Sequence, residues 1–156
     1  MTIIEAATCG HVKELMHAIE VGEDINAKDQ TGQSVLSIVS KCRVDLVKTL
    51  LEHGVNVNQP DSNLSTPLHW AVEYDNTEII DLLLQYGAST RAVDSFQETA
   101  LHWAAWTGHY KSAKSILKHD PFIHLKNHIG FTPMDLATQQ GHTAMIELLN
   151  NYQNES

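Results

Sequence analysis

An all-α solenoid is the fold that this sequence predicts, with five helix-turn-helix units side by side, four β-hairpin-like fingers joining them, and atypical capping units at both ends. Three observations carry that expectation. A short phrase recurs as Ser34-Val35-Leu36-Ser37, Thr66-Pro67-Leu68-His69, Thr99-Ala100-Leu101-His102 and Thr132-Pro133-Met134-Asp135, at intervals of 32, 33 and 33 residues. The segments after each phrase place apolar residues at helical spacing, and several end on glycine. An Asp or Asn stands five residues before every phrase, at Asp29, Asp61, Asp94 and Asn127. Such side chains bond their own downstream backbone, so each marks a tight projecting turn. The 156 residues divide into repeats 1–33, 34–65, 66–98, 99–131 and 132–152 of one domain.

In the first unit, Ala6-Ala7 matches Ala71-Val72, and Gly10-His11 matches Gly108-His109 and Gly141-His142. Met1 then falls where Thr66 stands, so the array is expected to start inside a helix. Repeat two lacks the Pro and His of the phrase and is one residue short, which predicts an irregular first helix. In repeat three, Thr66 caps a helix that begins at Pro67, where a missing N–H costs nothing, and runs to Tyr74. Thr77 to Tyr86 carries Ile79, Ile80, Leu83 and Leu84 at helical spacing, and Gly87 supplies a left-handed stop. Repeat four has Ser112, Ala113 and Ser115 where repeat three has Ile79, Ile80 and Leu82, and stops at Asp120-Pro121. Less apolar area predicts a softer link there. After repeat five, Asn150 to Ser156 turns polar where a further finger would begin.

The period of 33 and the Thr-Pro-Leu-His phrase resemble the ankyrin-repeat family over residues 1–152. The resemblance implies a non-catalytic module that binds a protein or peptide on a concave surface of finger tips and first helices. It also implies that His69 and His102 tie helix to finger through the Thr three residues earlier. Asn58 looks like the asparagine that a cytosolic hydroxylase modifies in such repeats, although forming a turn is its ordinary role.

Net charge of −9 argues against phosphate backbones or anionic lipid as partners. Apolar runs stay well short of the roughly 20 residues that span a bilayer. Neither a basic lead nor a cleavable apolar stretch opens the chain, so a cytoplasmic setting and a monomer are expected, with the nucleus or a host cytosol left open. Cys9 and Cys42 lie 33 apart, beyond disulfide reach in stacked repeats, and are expected as free thiols. The same offset relates Glu78 to Lys111 and Asp81 to Lys114, which predicts opposite charges side by side on stacked second helices.

Sequence inventory offers no nucleophile elbow, Gly-rich phosphate loop or paired-cysteine metal motif, so neither catalysis nor a cofactor is expected. His124 and His128 are four apart, but on a finger expected to be extended rather than helical, which argues against a metal site. Trp70 and Trp103 follow the phrase at a position read as packing. Large apolar side chains mapped onto the partner face are Phe96, Trp106, Ile129 and Phe131, flanked by Tyr74. With Glu73, Glu98 and His128 they form the candidate partner-binding set, since solvent-facing aromatics have no folding reason to exist and serve as interface anchors. Phe131 carries a second reading, tucked into the finger-helix junction. Seven acids against Arg91 alone in residues 61–98 favour a partner with a basic segment. A regulatory or targeting subunit of an enzyme assembly, including a microbial effector acting in a host cell, is the alternative.

Overall fold

The structure is a computed structural model that describes residues 1–119 and 121–155. Asp120, where the sequence sets a stop, and Ser156 lie outside the described residues. Ten helices follow in pairs among the described residues. They are α1 (Ile3–Cys9) and α2 (Val12–Glu20), α3 (Val35–Val39) and α4 (Val44–Glu52), α5 (Pro67–Glu73) and α6 (Thr77–Gln85), α7 (Ala100–Thr107) and α8 (Tyr110–Leu117), and α9 (Pro133–Gln140) and α10 (Thr143–Glu155). First helices pack in one row, α1 on α3, α3 on α5, α5 on α7 and α7 on α9. Second helices form a parallel row, α2 through α10. Helices this short are marginal alone, so stacking of neighbours holds them.

A hydroxyl starts every first helix: Thr2, Ser34, Thr66, Thr99 and Thr132. Here the expected start of the array needs correction. The first helix is one residue shorter than α7 and opens on its own cap, with the Glu5 amide donating to Thr2 Oγ1 and the Thr2 amide donating back to Glu5 Oε2. The polar tail is helical, since α10 continues through Asn150 to Glu155. Repeat two is irregular as read: α3 holds only five residues, and Ser40 donates back to the Leu36 carbonyl at 2.7 Å.

The core is a continuous apolar seam between the rows. Leu36, Leu68 and Leu101, the third letters of the phrase, are fully buried, as are Leu46, Ile79, Leu83, Ile116 and Met145 from the second row. Ser112 and Ser115 are buried in α8 at the weaker link, and Ser112 Oγ donates to Asp75 Oδ1 of the preceding repeat.

Polar ties cross between repeats where each hairpin turns. Arg43 Nη1 donates to the Gly10 carbonyl (2.7 Å), His109 Nδ1 to that of Val72 (2.8 Å) and His142 Nε2 to that of Trp106 (3.0 Å). Each reaches a carbonyl at the end of the preceding first helix, where no partner exists within the helix. The expected Glu78–Lys111 and Asp81–Lys114 pairs are not among the ion pairs of the described residues, which are Arg43–Asp45 at 2.8 Å and Lys48–Glu78 at 3.5 Å. α6 lies between α4 and α8, and the Glu78 carboxylate reaches the lysine on the α4 side. Both partners are more than half exposed, so this pair sets register more than stability.

Candidate functional site

The fingers are tight turns rather than paired strands; the described residues contain one isolated bridge, Lys28 with Ser34. Each turn is built alike. Asp61 Oδ1 accepts from the amides of Asn63 and Ser65, Asp94 Oδ1 from those of Phe96 and Glu98, and Asn127 Oδ1 from those of Ile129 and Phe131. Asp29 does the same for Thr31 and Gln33. Although desolvation opposes it, these hydrogen bonds hold the Asp29 carboxyl below its ordinary value. Fingers also hold one another, since the Ser95 amide donates to Asn63 O and the His128 amide to Phe96 O, both at 2.9 Å.

Helices are locked to fingers by the phrase histidines. The Thr66 amide donates to His69 Nδ1 (3.1 Å), which leaves Nε2 as the protonated nitrogen facing the Glu98 carbonyl at 2.9 Å. His102 repeats this with Thr99 and the Phe131 carbonyl (3.1 Å). Burial pushes both imidazoles below their usual pKa, which suits a nitrogen that must accept.

The tryptophans carry what the sequence reading missed. Trp70 Nε1 donates to Asp61 Oδ2 (3.0 Å) and Trp103 Nε1 to Asp94 Oδ2 (2.9 Å), so each indole is pinned edge-on to the clamp of its own finger. Both are only half-buried, and their rings meet at right angles with centroids 5.9 Å apart. A cavity of 280 Å³ opens beside them, lined by Trp70, Glu73, Glu98, Trp103, Trp106 and Thr107. The chain contains three tryptophans, and all three line this cavity. A second depression of 340 Å³ shares Trp70, Glu98 and Trp103 and is completed on the finger side by Asn63, Ser65, Asp94, Ser95 and Phe96. Together they form a trough between the first helices of repeats three and four, α5 and α7, and the fingers that precede them, which carry Asp61 and Asp94. Lys41 Nζ sits 4.7 Å from the centroid of Trp70, held also by Gln33 Oε1.

Of the residues mapped onto the partner face, Glu73, Glu98 and Trp106 line the first depression and Phe96 and Glu98 the second. Trp106 and Phe96 are 50% and 57% exposed. His128 lies against Phe96, with ring centroids 5.2 Å apart, while Tyr74 and Ile129 are exposed but are not among the residues lining either depression. Phe131 departs from the solvent-facing expectation: it is half-buried and packs on the core, because its backbone closes the Asn127 turn and meets His102. Asn58 is engaged at both ends, donating to the Gly87 carbonyl (3.1 Å) and accepting from the Ser89 amide (2.7 Å), which links repeats two and three. Among the described residues, no three His, Cys, Asp or Glu side chains converge to hold a metal. No helix there is long and apolar enough to cross a membrane. Cys9 and Cys42 are exposed thiols.

Stacked helical hairpins with clamped fingers define a repeat array in which each unit leans on its neighbours. A family model of three ankyrin repeats matches residues 3–94 and 86–155, and the chain belongs to the ankyrin-repeat family, whose members are generally protein–protein interaction modules. Two putative ankyrin repeat proteins of fowlpox virus are similar to it. FPV223 is 49% identical over 37 residues, covering 24% of this chain and 26% of that protein. FPV233 is 44% identical over 72 residues, covering 43% of this chain and 14% of that protein. The human BCL-6 corepressor-like protein 1 is 35% identical over 77 residues, or 48% of this chain and 4% of that protein. The chain thus spans 26% or less of each of these relatives.

Proposed function

We propose that this chain captures another protein on its finger and first-helix face, with the trough of repeats three and four as the anchor point. One observation carries the reading. Trp70, Trp103 and Trp106 converge on one depression and Phe96 extends it, although half-exposed indoles gain less from folding than buried ones. Aromatic side chains held in place before contact supply much area at little entropic cost, as interface anchors do. Glu73 and Glu98 at the walls favour a partner that brings positive charge. Tyr74, Ile129, His128 and Phe131 border the same face and are proposed as its rim. Residues 1–156 are proposed to act as one unit.

The test combines binding with folding. A peptide-display selection on the wild-type protein, counter-selected against Trp106→Ala, should return ligands whose affinity falls at least about tenfold in Trp106→Ala and Phe96→Ala, a loss of about 1.4 kcal/mol. Both variants should melt within a few degrees of wild type, since each side chain is half exposed or more. Equal loss of folding and binding would make them core residues and end the proposal.

A further inference from the structure

We infer that the cavity between Trp70, Trp103 and Trp106 is an arginine-binding site, which takes the guanidinium of a basic segment in the partner. This rests on the interface reading and adds the chemistry of its anchor. Four features point the same way. Indole rings supply the walls, and indole faces are the strongest side-chain hosts for cations. Glu73 and Glu98 stand on the same walls, where a planar guanidinium stacked on a ring can donate sideways to carboxylates. The surrounding segment, residues 61–98, holds seven acids and a single base, Arg91. The molecule already uses this stacking elsewhere, because the guanidinium carbon of Arg91 lies 3.6 Å from the centroid of Phe122.

Arginine is favoured over lysine on two grounds. An ammonium is compact and strongly hydrated, so a largely apolar cavity strips water from it at greater cost than from a guanidinium. The neighbouring ammonium, Lys41 over Trp70, remains tied to Gln33 Oε1 at the edge of repeat two and is not among the residues that line the cavity. Two carboxylates against that one ammonium leave the site negative.

The experiment needs no identified partner. Three indole Nε1–H signals in proton–nitrogen correlation spectra report the three walls directly. They are followed during titration with n-propylguanidinium, n-butylammonium, tetramethylammonium and the neutral isostere n-propylurea, at constant ionic strength. The expected result is saturable movement of all three signals by propylguanidinium, with binding about fivefold or more tighter than butylammonium and propylurea. In Glu73→Gln/Glu98→Gln that preference over propylurea should disappear while the amide spectrum stays that of a folded chain. Equal binding of propylurea would reduce the site to an apolar hollow. Tighter binding of tetramethylammonium or butylammonium would assign it to amines instead. Absence of saturable shifts would overturn the site altogether. Any of these failures, alongside ligand capture that still depends on Trp106, would discard the arginine assignment and leave the interface reading standing.

Discussion

Leu64 has φ of 61°, in the left-handed region, at the finger position where repeats one and four have Gly32 and Gly130 and repeat three has Gln97 at 58°. A side chain there costs about 1–2 kcal/mol relative to a right-handed conformation, and Leu64 gains little in return because it is 52% exposed. Leu64→Gly should therefore raise stability by about 0.5–1 kcal/mol once glycine's extra chain entropy is deducted, measured as a shift in urea midpoint at unchanged slope. His69 and His102 give a second expectation at this scale. Their folded pKa values lie below the usual 6.5, so the unfolded chain binds protons first. Their stabilisation is complete above about pH 6.5 and is lost as pH falls toward the folded values, by at most about 1.4 kcal/mol per histidine per pH unit. Melting temperature should drop between pH 7.5 and 5.5, and His69→Gln/His102→Gln should flatten that slope whatever it does to stability at neutral pH. The clamped carboxyls Asp29, Asp45 and Asp135 are held below their ordinary value of 3.8, so their loss belongs to more acid conditions and does not blur this window.

Among the helices, α8 is the one whose sequence and packing disagree most with its neighbours. It buries Ser112 and Ser115 where α6 buries Ile79 and rests Leu82 against the core, and Ser112 reaches Asp75 for its hydrogen bond. Amides of α8 should exchange roughly tenfold or more faster than those of α6, about 1.4 kcal/mol less protection; greater protection in α8 would refute the soft link. Element limits were well legible where a cap and a stop both lie in the chain: Thr66-Pro67 and Gly87 bracket α5 and α6 to within a residue of the expected ends. They were less legible at α1, where alignment by the Ala-Ala pair hid a one-residue shortening that shows in the Thr2–Glu5 cap. Where the chain turns from α7 to α8, the sequence offers only a histidine, His109, that recurs as His142. Its bond to the preceding repeat depends on a stacking distance that no local pattern encodes.

At the scale of the molecule, a fixed period made the architecture readable, since residues 33 apart become neighbours wherever helices pile in register. That rule also held the missing signal for the site. Trp70 and Trp103 differ by 33 and Trp106 follows one helical turn later, so three indoles had to meet on one face. Position in the phrase spoke for packing, but the half-buried state follows from the Asp61 and Asp94 clamps, which hold each indole by its edge. The ion pairs misled for the opposite reason: α6 has a neighbour on either side, and an exposed carboxylate chooses between them by side-chain reach rather than by period. Gathering every tryptophan into repeats three and four also makes the chain's intrinsic fluorescence a local gauge. Emission follows only the middle of the stack, whereas far-ultraviolet circular dichroism sums the helices of every repeat. Terminal repeats that fray first should therefore lower ellipticity at denaturant concentrations where emission has not yet moved, and coincident curves would mean that the whole array melts as one cooperative body.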